Sequence, residues 1–481
     1  MVLQAPDSWQ FRLTETPTGD ARRIGDLWLE TGPGLPVAVV TDAQGAEAGL
    51  LLGFPIDVAG RRLIDRAWTS PASIGPDSGQ FARDTLMALG GRFAFLSTAG
   101  GAPVLYPDCS AQVPVVYDPV ARIAGTSAHA LFDDAEYEKR FDRALYDHLG
   151  LDGEGWFPAG LTAHRGLMRL LPGHALDLST WTVRRYWPLA PVAETTDPAA
   201  VVDEMVTIVR NQMEAILKGP QRLALALTAG HETRVLLACA RPFVEKIDIV
   251  TVVGDSRRAT DSVIARRITR DLGLRHLELQ RRAGTDAERA LYIRRNGHCN
   301  ADSNARFHPS VRPLAGTHVF VGGLGGEVGR AFFWRPSDRP DTRITEDTLN
   351  ARFGLPDTPA LKAMLAEWLR HLPAQDAYSV LDMAYLEHRN GPWYAVQFCS
   401  DPTLLRQAPL MTLRAVELMW SLPPDWKRTS RLGHEIIARE WPELLRYPIN
   451  SLGKFQDTLV KLRRVADNPA LILKKLRKLS R

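Results

Sequence analysis

The stretch LALALTAGHETRVLLACAR (residues 223–241) constrains this chain more than any other. An apolar run of strand length ends at Thr228, the small residues Ala229 and Gly230 turn the chain, and a helix-like apolar pattern opens near Thr233. A strand apolar at every position is buried on both faces, which is the mark of a parallel sheet covered by helices. Backbone N–H groups at such a helix start attract phosphate. Small residues let a phosphate approach the backbone, and Thr228 and Thr233 add hydroxyls. The same residues also read as an ordinary strand-to-helix turn with threonine caps.

The segments around it extend this pattern. IDIVTVV (247–253) is a second buried strand, and DSVIARRITRDLG (261–273) an amphipathic helix ending in glycine. HVFVGG (318–323) is a third strand entering a glycine loop, and from about residue 360 the pattern is mainly helical. Strand alternating with helix predicts a parallel α/β sheet. Residues 1 to about 190 differ: VAVVTD, GRFAFLST, APVLYP and VPVVYDP are short apolar runs between turn residues, predicting stacked antiparallel sheets. TTDPAA, near 195–200, has linker composition.

Composition enters through charge and cysteine. The net charge is +4, but nine Lys/Arg against two Asp lie between Lys454 and Arg481, so the remainder carries about −3. The body is not a basic nucleic-acid surface, and no nucleic-acid partner is expected. The segment 451–481 is a basic tail with Leu and Ile near helical spacing, interrupted by Pro469. It could lie on an anionic membrane surface, contact a polyanion, or pack on the body as a solvated helix. Cys109, Cys239, Cys299 and Cys399 are far apart, with neither metal-ligand spacing nor a disulfide framework. A reducing cytoplasm is the expected compartment. There is no apolar run of 18 residues, no signal-peptide pattern at the start and no HExxH motif.

The second motif is GGLGGEVGR (322–330), also following a strand. Its glycines permit close approach, and Glu327 could hold Mg²⁺ beside phosphates. A flexible turn is the plain alternative. Together, the two motifs resemble those of the asparagine synthetase family. The family's Ser-Gly-Gly-x-Asp-Ser pyrophosphate loop is matched by Thr228, Ala229, Gly230, His231, Glu232 and Thr233. Its acidic helix opening, Leu-Gly and His are matched by Asp261, Leu272-Gly273 and His276. Its Ser-Gly-Glu-Gly-Ala-Asp-Glu loop is matched by Gly322 to Val328, with Glu327 at the metal-binding Asp. PLMTLRAVELMWSLPPDWKR is similar to the family's Pro-Phe-Leu-Asp…Leu-Pro segment, and GRFAFLSTAGGAPVLYPDCSAQVPVVY to its glutaminase domain. The likeness spans roughly residues 85 to 455.

The resemblance implies an α/β protein. A degenerate Ntn-type glutaminase sandwich is expected over 1–190, a PP-loop ATP pyrophosphatase domain over 200–450, and the tail from 451. It implies ATP and Mg²⁺, with the nucleotide against Leu227 to Arg234, Val253, Gly322 and Gly323, and the metal at Glu232 and Glu327. Lys454 would steady the charge of the adenylate step. Two departures qualify this. Residue 2 is Val2 and no cysteine precedes Cys109, so the usual thiol route to glutamine hydrolysis is not expected; relatives that make β-lactams or lasso peptides also do without it. Leu324 stands where the family has a polar residue that handles the amine's proton; Tyr385 and Glu387 are candidates to replace it. The expected activity is AMP-forming amide ligation between a small carboxylate and an amine or ammonia, with a specialised product rather than asparagine. A catalytically inactive nucleotide-binding or scaffold relative is the alternative.

Overall fold

The computed structural model describes residues 6–153, 155–254, 259–373, 376–395 and 397–451. The described residues form a mixed α/β protein with three sheets.

The first two sheets come from the N-terminal segment. One has six strands in the order Met168–Arg169, Val116–Asp118, Ile123–Gly125, Phe11–Thr14, Leu27–Thr31, Arg22–Ile24, all neighbours antiparallel. The other is built on the long pair Glu47–Asp57 and Leu89–Ser97 and is antiparallel apart from the Val37–Thr41/Ala67–Thr69 contact. Side chains of a strand alternate between faces. Leu50 and Leu52 therefore meet Phe11, Leu13 and Leu29 of the six-stranded sheet, while Leu51 faces the opposite way into a larger core. This explains why GLLLGF is apolar at successive positions: both faces are covered.

The third sheet has five parallel strands in the order His276–Gln280, Asp248–Val253, Arg222–Ala226, His318–Val321, Arg406–Gln407. The chain starts at the middle strand, builds outward to one side, then returns to build the other. Strand order thus reverses between Arg222–Ala226 and His318–Val321, and in open parallel sheets ligands bind at the carboxyl ends beside such a reversal. Arg406–Gln407 lies where the sequence pattern reads as helix; two residues are too few for a period to show.

The helix Pro198–Leu217 opens with Asp197 accepting from Ala199 and Ala200 N–H and with proline in its first turn, a sound helix start. Its buried stripe, Val202, Met205, Val209 and Ile216, joins the core that runs from the second sheet into the parallel one. The helix His231–Cys239 starts two residues before Thr233. All four cysteines are buried and free. Among the described residues no helix is long and apolar enough to cross a membrane.

Candidate active site

The strand Arg222–Ala226 runs into Leu227, which is buried and tied to the neighbouring strand: its N–H donates to Val250 O and its carbonyl accepts from the Thr251 hydroxyl. The turn that follows is tightly organised. Thr228 N–H donates to Thr233 Oγ1 at 3.1 Å, the two threonine hydroxyls are 3.0 Å apart, and Gly230 N–H donates to Thr228 Oγ1 at 3.0 Å. Ala229 N–H donates to Asp261 Oδ1 at 2.9 Å, which gives the acidic residue at the start of the Ala259–Asp271 helix its role. Thr228, Ala229 and Gly230 thus commit their N–H groups inside the protein, correcting the expectation that this part of the loop presents donors to a phosphate. The donors that remain belong to the first turn of His231–Cys239, which Gly230 has no side chain to cap.

The second loop leaves His318–Val321 with Gly322 N–H donating to Gln407 O. It turns through Gly325 in the left-handed region (φ 99°) into the short turn Gly326–Gly329. It packs directly on the first loop: a Cβ on Gly323 would lie 2.7 Å from Glu232 Cβ, and one on Gly326 2.4 Å from Glu232 Cγ. Gly323 and Gly326 therefore serve loop-on-loop packing.

The two loops open onto one cavity of about 440 Å³. Glu232 and Thr233 line it from the first loop; Gly322, Gly323, Leu324 and Glu327 line it from the second. Its far wall includes Arg281, Trp393, Tyr394 and Arg406, none of which the sequence reading singled out. Arg281 lies over the Phe307 ring at 3.5 Å, and Arg92 of the second sheet over Tyr394 at 4.7 Å, so the N-terminal segment buttresses the wall. Burial, and then the Glu232 charge, push the Glu327 carboxyl above its ordinary range. Its Oε2 is buried without a hydrogen-bond partner.

Arg330 spans the two carboxylates, 2.6 Å from Glu232 Oε1 and 3.6 Å from Glu327 Oε1. One nitrogen of the Arg330 guanidinium thus lies beside the two carboxylates expected to hold Mg²⁺. Among the described residues no group of three His, Cys, Asp or Glu could hold a metal ion.

The other expected site residues divide. Tyr385 packs on Phe332 with ring centroids 4.4 Å apart and lies close enough to Glu327 that, after burial, this charge raises its phenol further. Glu387 is not an amine-handling group. It is 1% exposed, holds Arg185 through both oxygens at 2.6 and 2.9 Å and accepts from Trp368 Nε1. Arg234 is fully buried and donates to the carbonyls of Tyr447, Pro448, Leu444 and Ala229, so it braces the loop against the C-terminal segment instead of facing a ligand. His231 points at Gly433, where a Cβ would meet its ring at 2.3 Å, and lines a separate small cavity. Val253 yields to its neighbour: Val252 lines the cavity, and strand alternation turns Val253 the other way. His276 bonds Thr251 and Thr269. Lys454 and most of the basic tail lie outside the described residues.

Fold and site define a mixed α/β protein whose cavity sits at the strand-order reversal of its parallel sheet, between two small-residue loops. No protein-family model and no curated protein matches the chain. Among solved structures it is similar to the U34-tRNA thiolase NcsA from Methanococcus maripaludis with its [4Fe-4S] cluster (12% identity, 59% of this chain and 79% of that one, TM-score 0.24). It is also similar to an NMN synthetase from Francisella tularensis (10% identity, 40% and 93% covered, TM-score 0.21). At such identities and scores neither likeness defines a ligand or a reaction for this chain.

Proposed function

We propose that the chain is an ATP-dependent, AMP-forming amide ligase of asparagine-synthetase type, whose N-terminal sheets are a degenerate glutaminase-like domain. The supporting observation is that two small-residue loops, leaving the two central strands, converge with an uncapped helix start on one cavity. In this reading the first turn of His231–Cys239 faces the phosphates. A small-molecule carboxylate attacks the α-phosphorus, the bond to the β,γ-pyrophosphate breaks, and an acyl-adenylate forms. An amine then attacks the acyl carbon and AMP leaves. Glu327, raised by burial and with one oxygen unpartnered, is the group that takes the amine's proton. Tyr385 stands behind it, and Leu324 excludes water. The proposed setting is the cytoplasm, with no nucleic-acid partner.

One observation favours a second reading, a nucleotide-binding protein without catalysis: the apolar Leu324 lines the cavity where the family has a polar residue that handles the amine's proton. Calorimetric titration of ATP into the native protein, Thr233→Ala and Glu327→Ala tests the site. Binding by the native protein that weakens about tenfold or more in Thr233→Ala supports it. Pyrophosphate release with a panel of carboxylic acids then separates ligase from binder. Absence of ATP binding in the native protein sinks both readings.

A further inference from the structure

The cavity continues past the first loop toward one edge of the parallel sheet. From the middle strand Arg222–Ala226 the sheet runs through Asp248–Val253 to its edge strand His276–Gln280. Val252 lines the cavity from the first of these neighbours, and Arg281, directly after the edge strand, lines it from the second. The backbone of Arg281 thus lies two strand spacings, about 10 Å, from the middle strand. Its guanidinium covers the Phe307 ring at 3.5 Å. Phe307 ends the helix Ser303–Phe307, three positions after Asn304, so the two side chains fall on one side of it, and both line the cavity.

Asn304 is oriented by its neighbour. Its Nδ2 donates to Asp302 Oδ2 at 3.2 Å, and a carboxylate only accepts, so the amide nitrogen faces Asp302 and the carbonyl faces away. Oδ1 has no protein partner among the described residues and is not closed off from solvent. The side chain therefore keeps one acceptor and one remaining donor. That pair matches the N6–H and N7 of adenine, whereas guanine presents two acceptors, O6 and N7, on the same edge. A guanidinium laid on an aromatic ring is a planar surface on which any base stacks. We infer that the nucleotide's base lies against the Arg281–Phe307 pair with Asn304 on its N6/N7 edge, so that this group selects adenine. The inference rests on the nucleotide reading proposed above, in which the phosphates lie at the first turn of His231–Cys239 and the ribose crosses Val252.

The test is calorimetric titration of ATP, GTP and 7-deaza-ATP into the native protein, Asn304→Ala and Arg281→Gln. The native protein should bind ATP at least about tenfold more tightly than GTP, and at least about fivefold more tightly than 7-deaza-ATP, which lacks the N7 acceptor. Asn304→Ala should weaken ATP until the three nucleotides bind alike. Arg281→Gln should weaken all three by a similar factor, about fivefold or more, because stacking does not distinguish bases. Equal native affinities for ATP and GTP, or for ATP and 7-deaza-ATP, overturn the inference while leaving the nucleotide reading intact. So does a preference for ATP that survives Asn304→Ala, or full affinity in Arg281→Gln. If a variant does not fold, the native comparison of the three nucleotides decides. No nucleotide bound by the native protein removes the nucleotide reading, and this inference with it.

Discussion

Glu387 shows how far a residue's role depends on partners remote in sequence. In YLEHRN it reads as a carboxylate near the second loop; in the structure it is closed on every side. Arg185, 202 positions earlier, grips it with both outer nitrogens, and Trp368 donates from a third direction. Burial raises its carboxyl, but Arg185 and His174 outweigh that and hold it below the ordinary range. A carboxylate with a lowered folded-state value gives stability that is complete above its unfolded value and lost as pH falls through the folded one. Removing one partner strands the other's charge in the interior, so Glu387→Gln should cost about 3–5 kcal/mol in denaturant unfolding. The double change Arg185→Met with Glu387→Met should cost less. Pyrophosphate release per folded molecule should be unchanged by Glu387→Gln. A loss of turnover at full stability would return this residue to the chemistry.

At the scale of the element, the two loops were legible because each follows a short buried strand and carries small residues, patterns that need no knowledge of the rest of the chain. What those residues do was not. The glycines of 322–330 read as room for a ligand, yet Gly323 and Gly326 are needed because Glu232 occupies the space a Cβ would take. Gly322 differs: the nearest atom to its Cβ would be Phe320 Cε1 at 3.9 Å. Gly323→Ala and Gly326→Ala should each destabilise by about 1–3 kcal/mol through overpacking. Gly322→Ala should leave the unfolding midpoint near the native one. If ATP affinity falls only in Gly322→Ala, the phosphates approach the chain there. If all three variants unfold at the native midpoint, the loop-on-loop contact is looser than described. Arg330 ends the same motif and was visible throughout, but only packing shows that it turns back over the carboxylates.

Across the whole molecule, loops and a short helix of the N-terminal segment share polar contacts with residues that follow residue 290. Trp156 Nε1 donates to His388 O, Ala159 N–H donates to His388 Nδ1, and Tyr137 hydroxyl meets His298 Nδ1 at 2.8 Å. His388 and His164 are held down to about 3 by burial, and His298 to about 4, with burial again the first cause. Histidines buried in the neutral form take up protons in the unfolded chain before the folded one. Their contribution is complete above about pH 6.5, the unfolded value. It is lost as pH falls toward 4 and then 3, by up to about 1.4 kcal/mol per pH unit for each. The thermal midpoint should therefore slide downward below pH 6.5, and His388→Gln should flatten the slope by one proton. A midpoint constant between pH 6.5 and 4 would mean these rings are charged in the folded protein.

Residues 222–330 determined from sequence alone that parallel strands alternate with helices and that two small-residue loops follow two of the strands, because burial on both faces and helical period are written in neighbouring residues. Tertiary structure alone decided the strand order, the two-residue strand Arg406–Gln407, the commitment of Ala229 N–H to Asp261, and the far wall of the cavity. It also decided that a guanidinium stands beside Glu232 and Glu327. Each of these is a pairing across the fold, and a side chain's partner is set by which backbone is brought beside it, which no local pattern encodes.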